Sequence, residues 1–333
     1  MTYIFRIILA LVVLSAGSAL AQTQPGSPSG TNPTRQAVQE EQLLQQLRKL
    51  EGRVTIPDGK AGTLEQPQGR DWRAFKEGWL PWIAGIAVLG MLLALFAFYF
   101  TKGRIRLGQG EESGAKILRF NAFERFTHWL TATSFIVLAL TGLNYVFGKR
   151  LLMPLIGPDA FATLAQWGKY AHNYLAWPFM LGIIFMMVVW LRDNIPSRID
   201  WTWLKAGGGF FGDSHPSAGR FNAGQKIVFW IVMLGGVAMS VTGIIMLFPF
   251  SATDINGMQT TQVIHSVIGV LFTASILAHI YIGSLGMEGA YDAMGSGEVD
   301  LAWARRHHDL WVQEQQATTA SGPQLGHRPA PAE

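Results

Sequence analysis

Residues 262–286 read QVIHSVIGVLFTASILAHIYIGSLG, an unbroken run without a charged side chain that carries two histidines, His265 and His279. A helix needs about 20 apolar residues to cross a hydrocarbon core of about 30 Å, so this stretch has the length of a membrane span. At 100° per residue, the 14 positions between the histidines bring the second to within about 40° of the first. The rise along the axis separates them by roughly 21 Å. Both imidazoles therefore look toward the same interior from two depths. Ionisable groups in hydrocarbon are costly and turn inward, which makes each a functional candidate.

Four more uncharged segments of similar length precede it, at about 79–100, 128–147, 170–191 and 227–250. Trp79, Trp82, Tyr99, Trp129, Tyr145, Tyr170, Trp190 and Trp230 stand near their ends, as in an interfacial aromatic belt. Of the 333 residues 49% are hydrophobic and only 14% charged, which fits a protein in contact with membrane lipid. The expected fold is all-α, a transmembrane helical bundle with a four-helix core and one extra N-terminal span. Cysteine is absent, which excludes disulfides, thiolate metal sites, iron–sulfur clusters and covalent haem attachment in this chain. Basic residues cluster beside the apolar segments, so they read as topology determinants and no nucleic-acid partner is expected.

Residues 1–21 read as a secretory signal, with Arg6, an apolar run from Ile7 to Val13, and Ala19-Leu20-Ala21 before the expected cleavage. Residues 22–78 then form an extracytoplasmic appendage, Gly/Ser/Pro/Thr-rich at first, with Leu43, Leu44, Leu47 and Leu50 at helical spacing. The extra span (79–100), the four-helix core (101–287) and a cytoplasmic tail (288–333) follow. Six Lys and Arg between 101 and 126 and five between 192 and 226 contrast with three in 148–169 and none in 251–261. Positive-inside bias places the first group in the cytoplasm. The eight basic residues of 22–78 run against it, but a signal peptide fixes the first translocation. The mature N-terminus is thus expected in the periplasm and the C-terminus in the cytoplasm of a bacterial inner membrane.

On this topology His128 begins the second span at the inner surface, where the last span brings His279. His172, near the start of the inward-running third span, lies at the level of His265. Two facing histidines per level are the arrangement that holds haem iron by both axial positions, a six-coordinate centre suited to electron transfer. Hydrogen-bonded packing and a proton path are the alternatives for any one histidine. Ser266, Gly269, Ala274, Ser275 and Ala278 leave room for a macrocycle, although small residues also serve helix packing. His215 and His327 read as solvated, and His307 and His308 as surface or subunit-contact residues.

RFTHW (125–129), RDNIP (192–196), RFNAGQK (220–226), the His265–His279 span and WARRHHDLW (303–311) together resemble the gamma, or cytochrome b, subunit of membrane-bound respiratory formate dehydrogenases, over about 118–313. The resemblance implies two b-type haems, His172 with His265 for the outer and His128 with His279 for the inner. It also implies a menaquinone or ubiquinone site beside the inner haem that involves Asn222, with Gln225 one turn on. Asn222 could equally cap the fourth core helix. The implied partners are an iron–sulfur beta subunit and a molybdenum or tungsten alpha subunit that oxidises formate outside. This chain would carry the electrons inward and reduce quinone, without formate chemistry of its own. The same kind of anchor would also suit a nickel–iron hydrogenase or a thiosulfate reductase. A histidine-relay transporter is a reading of a different class.

Overall fold

The computed structural model describes residues 67–106, 113–209 and 216–320. The expected signal peptide, residues 22–66 of the appendage, His215 and His327 lie outside the described residues. The chain divides into two compact units after Glu77. The described part of the first includes a helix, Pro67–Ala74, and an exposed Arg73–Glu77 ion pair of 3.2 Å.

Among the described residues five helices are long and apolar enough to cross a membrane. These are α1 (Leu80–Lys102), α2 (Ala122–Leu151), α3 (Pro158–Trp190), α5 (Ala223–Leu247) and α6 (Ile255–Tyr281). A short α4 (Arg198–Lys205) lies between α3 and α5. The second and third spans start earlier than hydropathy suggests, because cap chemistry sets a helix end and the apolar run does not. Asn121 caps α2 by accepting from the backbone of Phe123 and Glu124, and the Glu124 carboxylate accepts from the Asn121 backbone in return. His128 therefore lies almost two turns inside α2. Before α3, Gly157 takes φ +82° and Pro158 opens the helix, so residues expected in an outer loop are helical.

α2 packs along α3, α3 touches α5, and α6 packs against α5 and α1. The α2–α3 approach is close because residue 182 is glycine. A Cβ there would collide with Thr131 Oγ1 and sit 3.2 Å from the Thr131 Cα. Outward faces are apolar: Leu93, Val188 and Leu234 are 68%, 79% and 67% exposed. Such faces are stable when the surrounding solvent is hydrocarbon, and helices are the form in which a spanning backbone satisfies its own hydrogen bonds there. The protein is a multi-pass membrane protein.

One end of the bundle is closed by a folded cap built from segments far apart in sequence. Strand β1 (Lys116–Leu118) pairs antiparallel with β2 (Glu298–Asp300), with Ile117 opposite Val299. Asp300 then caps α7 (Leu301–His307), which is followed by α8 (Asp309–Ala320). Residues 288–320, expected as part of a tail, are folded into this cap. Arg119 is 3% exposed between the rings of Phe120, Trp303 and Trp311. Its Nη2 donates to the Arg220 carbonyl at 2.7 Å and to His308 Nε2 at 3.0 Å.

His308, expected as a surface or subunit-contact residue, is 1% exposed within the chain itself. Its Nδ1–H donates to the Gly219 carbonyl at 2.8 Å, and Nε2 uses its lone pair to accept from Arg119. That pairing requires a neutral ring, since a proton on Nε2 would face the guanidinium N–H. Burial first, and then the Arg119 charge, hold its pKa well below the usual imidazole value. Burial and the Arg220 charge push Arg119 itself down to about 9, which still leaves it charged at neutral pH.

A pH dependence follows. Unfolded His308 takes up a proton near pH 6.5, whereas the folded ring does so only far below, so the unfolded state binds more protons in between. Cap stability is full above pH 6.5 and falls by up to about 1.4 kcal/mol per unit as pH drops below it. Thermal melts at pH 7.5 and 5.5 should show this slope. His308→Gln, which can accept from Arg119 and donate to Gly219 without titrating, should make the slope shallower by the share of one proton.

Candidate functional site

The four span histidines meet as two pairs. His172 of α3 faces His265 of α6 with ring centroids 6.3 Å apart and planes at 61°. His128 of α2 faces His279, near the end of α6, at 6.1 Å and 62°. A metal–imidazole bond of about 2 Å, with the nitrogen about 1.1 Å from its ring centroid, puts the centroids of two trans ligands about 6.2 Å apart. Both pairs match that spacing and are too far apart to hydrogen-bond directly. Each level offers two protein donors, and a porphyrin would supply the other four of an octahedral iron. The residues present fit a bis-histidine haem at each level.

The surroundings of the two pairs differ. Thr141 Oγ1 lies 2.7 Å from His172 Nδ1, and Thr242 Oγ1 lies 2.8 Å from His265 Nδ1. The next residue in each case is glycine. A Cβ at Gly142 would sit 4.0 Å from His172 Cε1, and one at Gly243 would sit 3.6 Å from His265 Cε1. At the other level His128 Nδ1 is buried with no hydrogen-bond partner among the described residues. Trp129 stands edge-on to His128 at 5.1 Å and donates its indole N–H to the Met294 carbonyl at 2.9 Å.

Between the levels lies an aromatic layer. Phe272 is seven residues from each histidine of α6, and it meets Phe135 of α2 at 4.7 Å and Phe179 of α3 at 6.5 Å. Phe179 and Phe272 are each 4% exposed. The layer is apolar and without a proton-carrying side chain of its own. Among the small residues expected to make room for a macrocycle or to serve helix packing, Gly269 lies against Met239 of α5, whose Cε would lie 3.2 Å from an added Cβ.

Asn222 and Gln225 form the capping box of α5. Asn222 Oδ1 accepts from the Gln225 backbone at 2.9 Å and Gln225 Oε1 from the Asn222 backbone at 3.1 Å. Between them in sequence, Gly224 allows Trp203 of α4 to approach. Lys226 is tied to Asp200 at 2.9 Å and to the Ile195 carbonyl. Capping is thus what the geometry assigns to the asparagine.

Beside this cap runs a charged network that sequence reasoning missed. Arg220 bonds Glu124 Oε1 at 2.5 Å and Asp193 Oδ2 at 2.8 Å, and the Trp190 indole donates to Glu124 Oε1 at 2.9 Å. A polar cleft of about 350 Å³ opens beside it, lined by Arg119, Asn121, Glu124, Asp193, Arg220 and Glu314 among others. Thr141 and Thr242 were also missed, although the repeated Thr-Gly dipeptide in two apolar spans was a visible signal.

A family model described as prokaryotic cytochrome b561 matches residues 119–297, more than half of the chain. The cytochrome b556(fdo) subunit of formate dehydrogenase from Escherichia coli is 31% identical over 207 residues, covering 61% of this chain and 95% of that protein. The nitrate-inducible cytochrome b556(Fdn) subunit of the same organism is 29% identical over 203 residues, 60% of this chain and 91% of that protein. The formate dehydrogenase cytochrome b556 subunit of Haemophilus influenzae is 27% identical over 206 residues, 60% of this chain and 84% of that protein. The matched region contains the paired histidines and the four core helices, and on both counts this chain belongs to the prokaryotic cytochrome b561 family of membrane b-type cytochromes.

Proposed function

We propose that this chain is the cytochrome b subunit of a formate dehydrogenase, conducting electrons from an iron–sulfur beta subunit on the periplasmic side to a quinone on the cytoplasmic side. The observation that carries the reading is the pair of facing histidine couples, 6.1 and 6.3 Å between centroids, stacked inside one apolar bundle. His172 and His265 hold the outer iron and His128 and His279 the inner one. Bound haem supplies a one-electron iron couple that two imidazoles restrict to electron transfer. Formate oxidation belongs to a molybdenum or tungsten alpha subunit, and this chain acts as the quinone-reducing member of the oxidoreductase.

The mature N-terminus lies in the periplasm and the folded cap in the cytoplasm, as the Lys and Arg distribution supports. Quinone binds near the inner level, within reach of the cap and its aqueous cleft, and takes its protons from the cytoplasm. The side-chain oxygens of Asn222 and Gln225 are committed to the helix cap, so what remains for a quinone carbonyl is an amide N–H. The phenylalanine layer between the levels favours electron carriage over a histidine proton relay, since protons need a chain of polar groups or water.

An optical difference spectrum of membranes holding the native complex, oxidised against formate-reduced, tests this with haem quantified per chain. Two b haems reduced by formate are expected. Haem reduced by dithionite and not by formate would assign the cytochrome to another dehydrogenase, and a chain without haem would end the proposal.

A further inference from the structure

The Thr-Gly dipeptide recurs on two helices and serves the same histidine level. Thr141-Gly142 of α2 stands against His172, and Thr242-Gly243 of α5 stands against His265. In each, the threonine hydroxyl has one hydrogen to give, and carbonyls that can only accept take it. Thr141 donates to the Val137 carbonyl at 2.8 Å, and Thr242 to the Ala238 carbonyl at 2.7 Å. What each oxygen offers the neighbouring ring is therefore a lone pair. With the hydroxyl hydrogens on those carbonyls, Nδ1 of both histidines carries its own hydrogen, His172 having the Leu138 carbonyl as a second acceptor, and Nε2 is left bare as the atom able to bind iron. The absent side chain of each following glycine leaves the ring edge clear at Cε1, 4.0 Å and 3.6 Å from where a Cβ would stand. His128, at the other level, has no such acceptor among the described residues.

We propose that Thr141 and Thr242 are positioning residues of the outer haem, locking both axial imidazoles in the iron-binding tautomer and lowering that haem's potential relative to the inner one. The inference rests on the histidine ligation set out above. An acceptor on Nδ1–H makes an imidazole a stronger electron donor, and stronger axial donation favours ferric iron. Placing two such acceptors at the outer level and withholding one from His128 tilts electron flow inward.

The test is a potentiometric titration of b-haem absorbance in membranes holding the native complex, for the parent, Thr141→Val, Thr242→Val and the matching serine variants. The component missing from His265→Ala identifies the outer haem. Each valine variant is expected to shift the outer midpoint upward, to leave the inner one in place and to change the outer low-spin electron paramagnetic resonance signal. Each serine variant, which keeps the hydroxyl, should match the parent. Loss of the outer haem in a valine variant supports the assignment when serine restores it and overturns it when serine does not. Unmoved midpoints, or a shift confined to the inner haem, would overturn the threonine role and leave the ligation intact. A parent without haem would overturn the ligation and this inference together.

Discussion

His265→Ala is expected to retain about half the b haem of the parent chain and to lose formate-driven quinone reduction, while His128→Ala loses the other half. His265 sits opposite His172 at 6.3 Å between centroids, so its removal leaves one axial imidazole and a hole where the second donor stood. It also strips Thr242 of the ring whose hydrogen it accepts. The other level should survive, because 14 residues of α6 and the Phe135–Phe179–Phe272 layer separate it from the deletion. Haem extraction with pyridine haemochrome quantification, together with the difference spectrum, reads both effects. His307→Ala, in the cap beside Trp303, should keep both haems. Parental haem content in His265→Ala would mean that the histidine pairs are packing contacts.

Glu124→Ala is expected to cost about 3 kcal/mol of stability and to lower the unfolding midpoint by roughly 10 °C. The Glu124 side chain is 5% exposed and accepts from three directions: Arg220 Nη2, the Trp190 indole and the backbone of Asn121. Alanine would leave the indole N–H without its acceptor and Arg220, 27% exposed, with Asp193 as its one carboxylate partner beside the Arg119 carbonyl. Removing one member of a buried charged pair costs far more than the pair is worth against an apolar replacement. Glu124→Gln keeps an acceptor and should lose less. Arg73→Ala breaks an ion pair whose side chains are 67% and 59% exposed and should change nothing measurable. Differential scanning fluorimetry in detergent separates the three. Because Glu124 is one turn before His128, its loss should also loosen the inner haem before the outer one.

Some of this was legible in the sequence for a simple reason. The spans, the all-α bundle and the inward-facing histidines follow from rules that act along one chain: the length of an uncharged run, 100° per residue, and the expense of an imidazole in hydrocarbon. Even the pairing of His172 with His265 and His128 with His279 needed only alternating helix direction to match depths. The motif residues were readable as a family signature, yet what they do in the molecule was not. Arg220, Asp193 and Glu124 are far apart in sequence and join only when three helix ends converge, and no periodicity announces that.

His308 shows the same limit, since a histidine beside arginines in a polar run has the composition of a surface. Only the return of β2 to β1 carries it onto the Gly219 carbonyl and buries it. The two threonines are the clearest case. From the chain alone each is a hydroxyl satisfied by its own helix, and that bond is present. That the remaining lone pair of each points at a histidine on a neighbouring helix was decided by how α2 meets α3 and α5 meets α6. The sequence by itself determined which histidines enter the bundle interior and at what depth. Tertiary structure alone decided which group stands against Nδ1 of His172 and His265, because a hydrogen-bond partner across a helix interface is set by how helices pack and not by the neighbours along the chain.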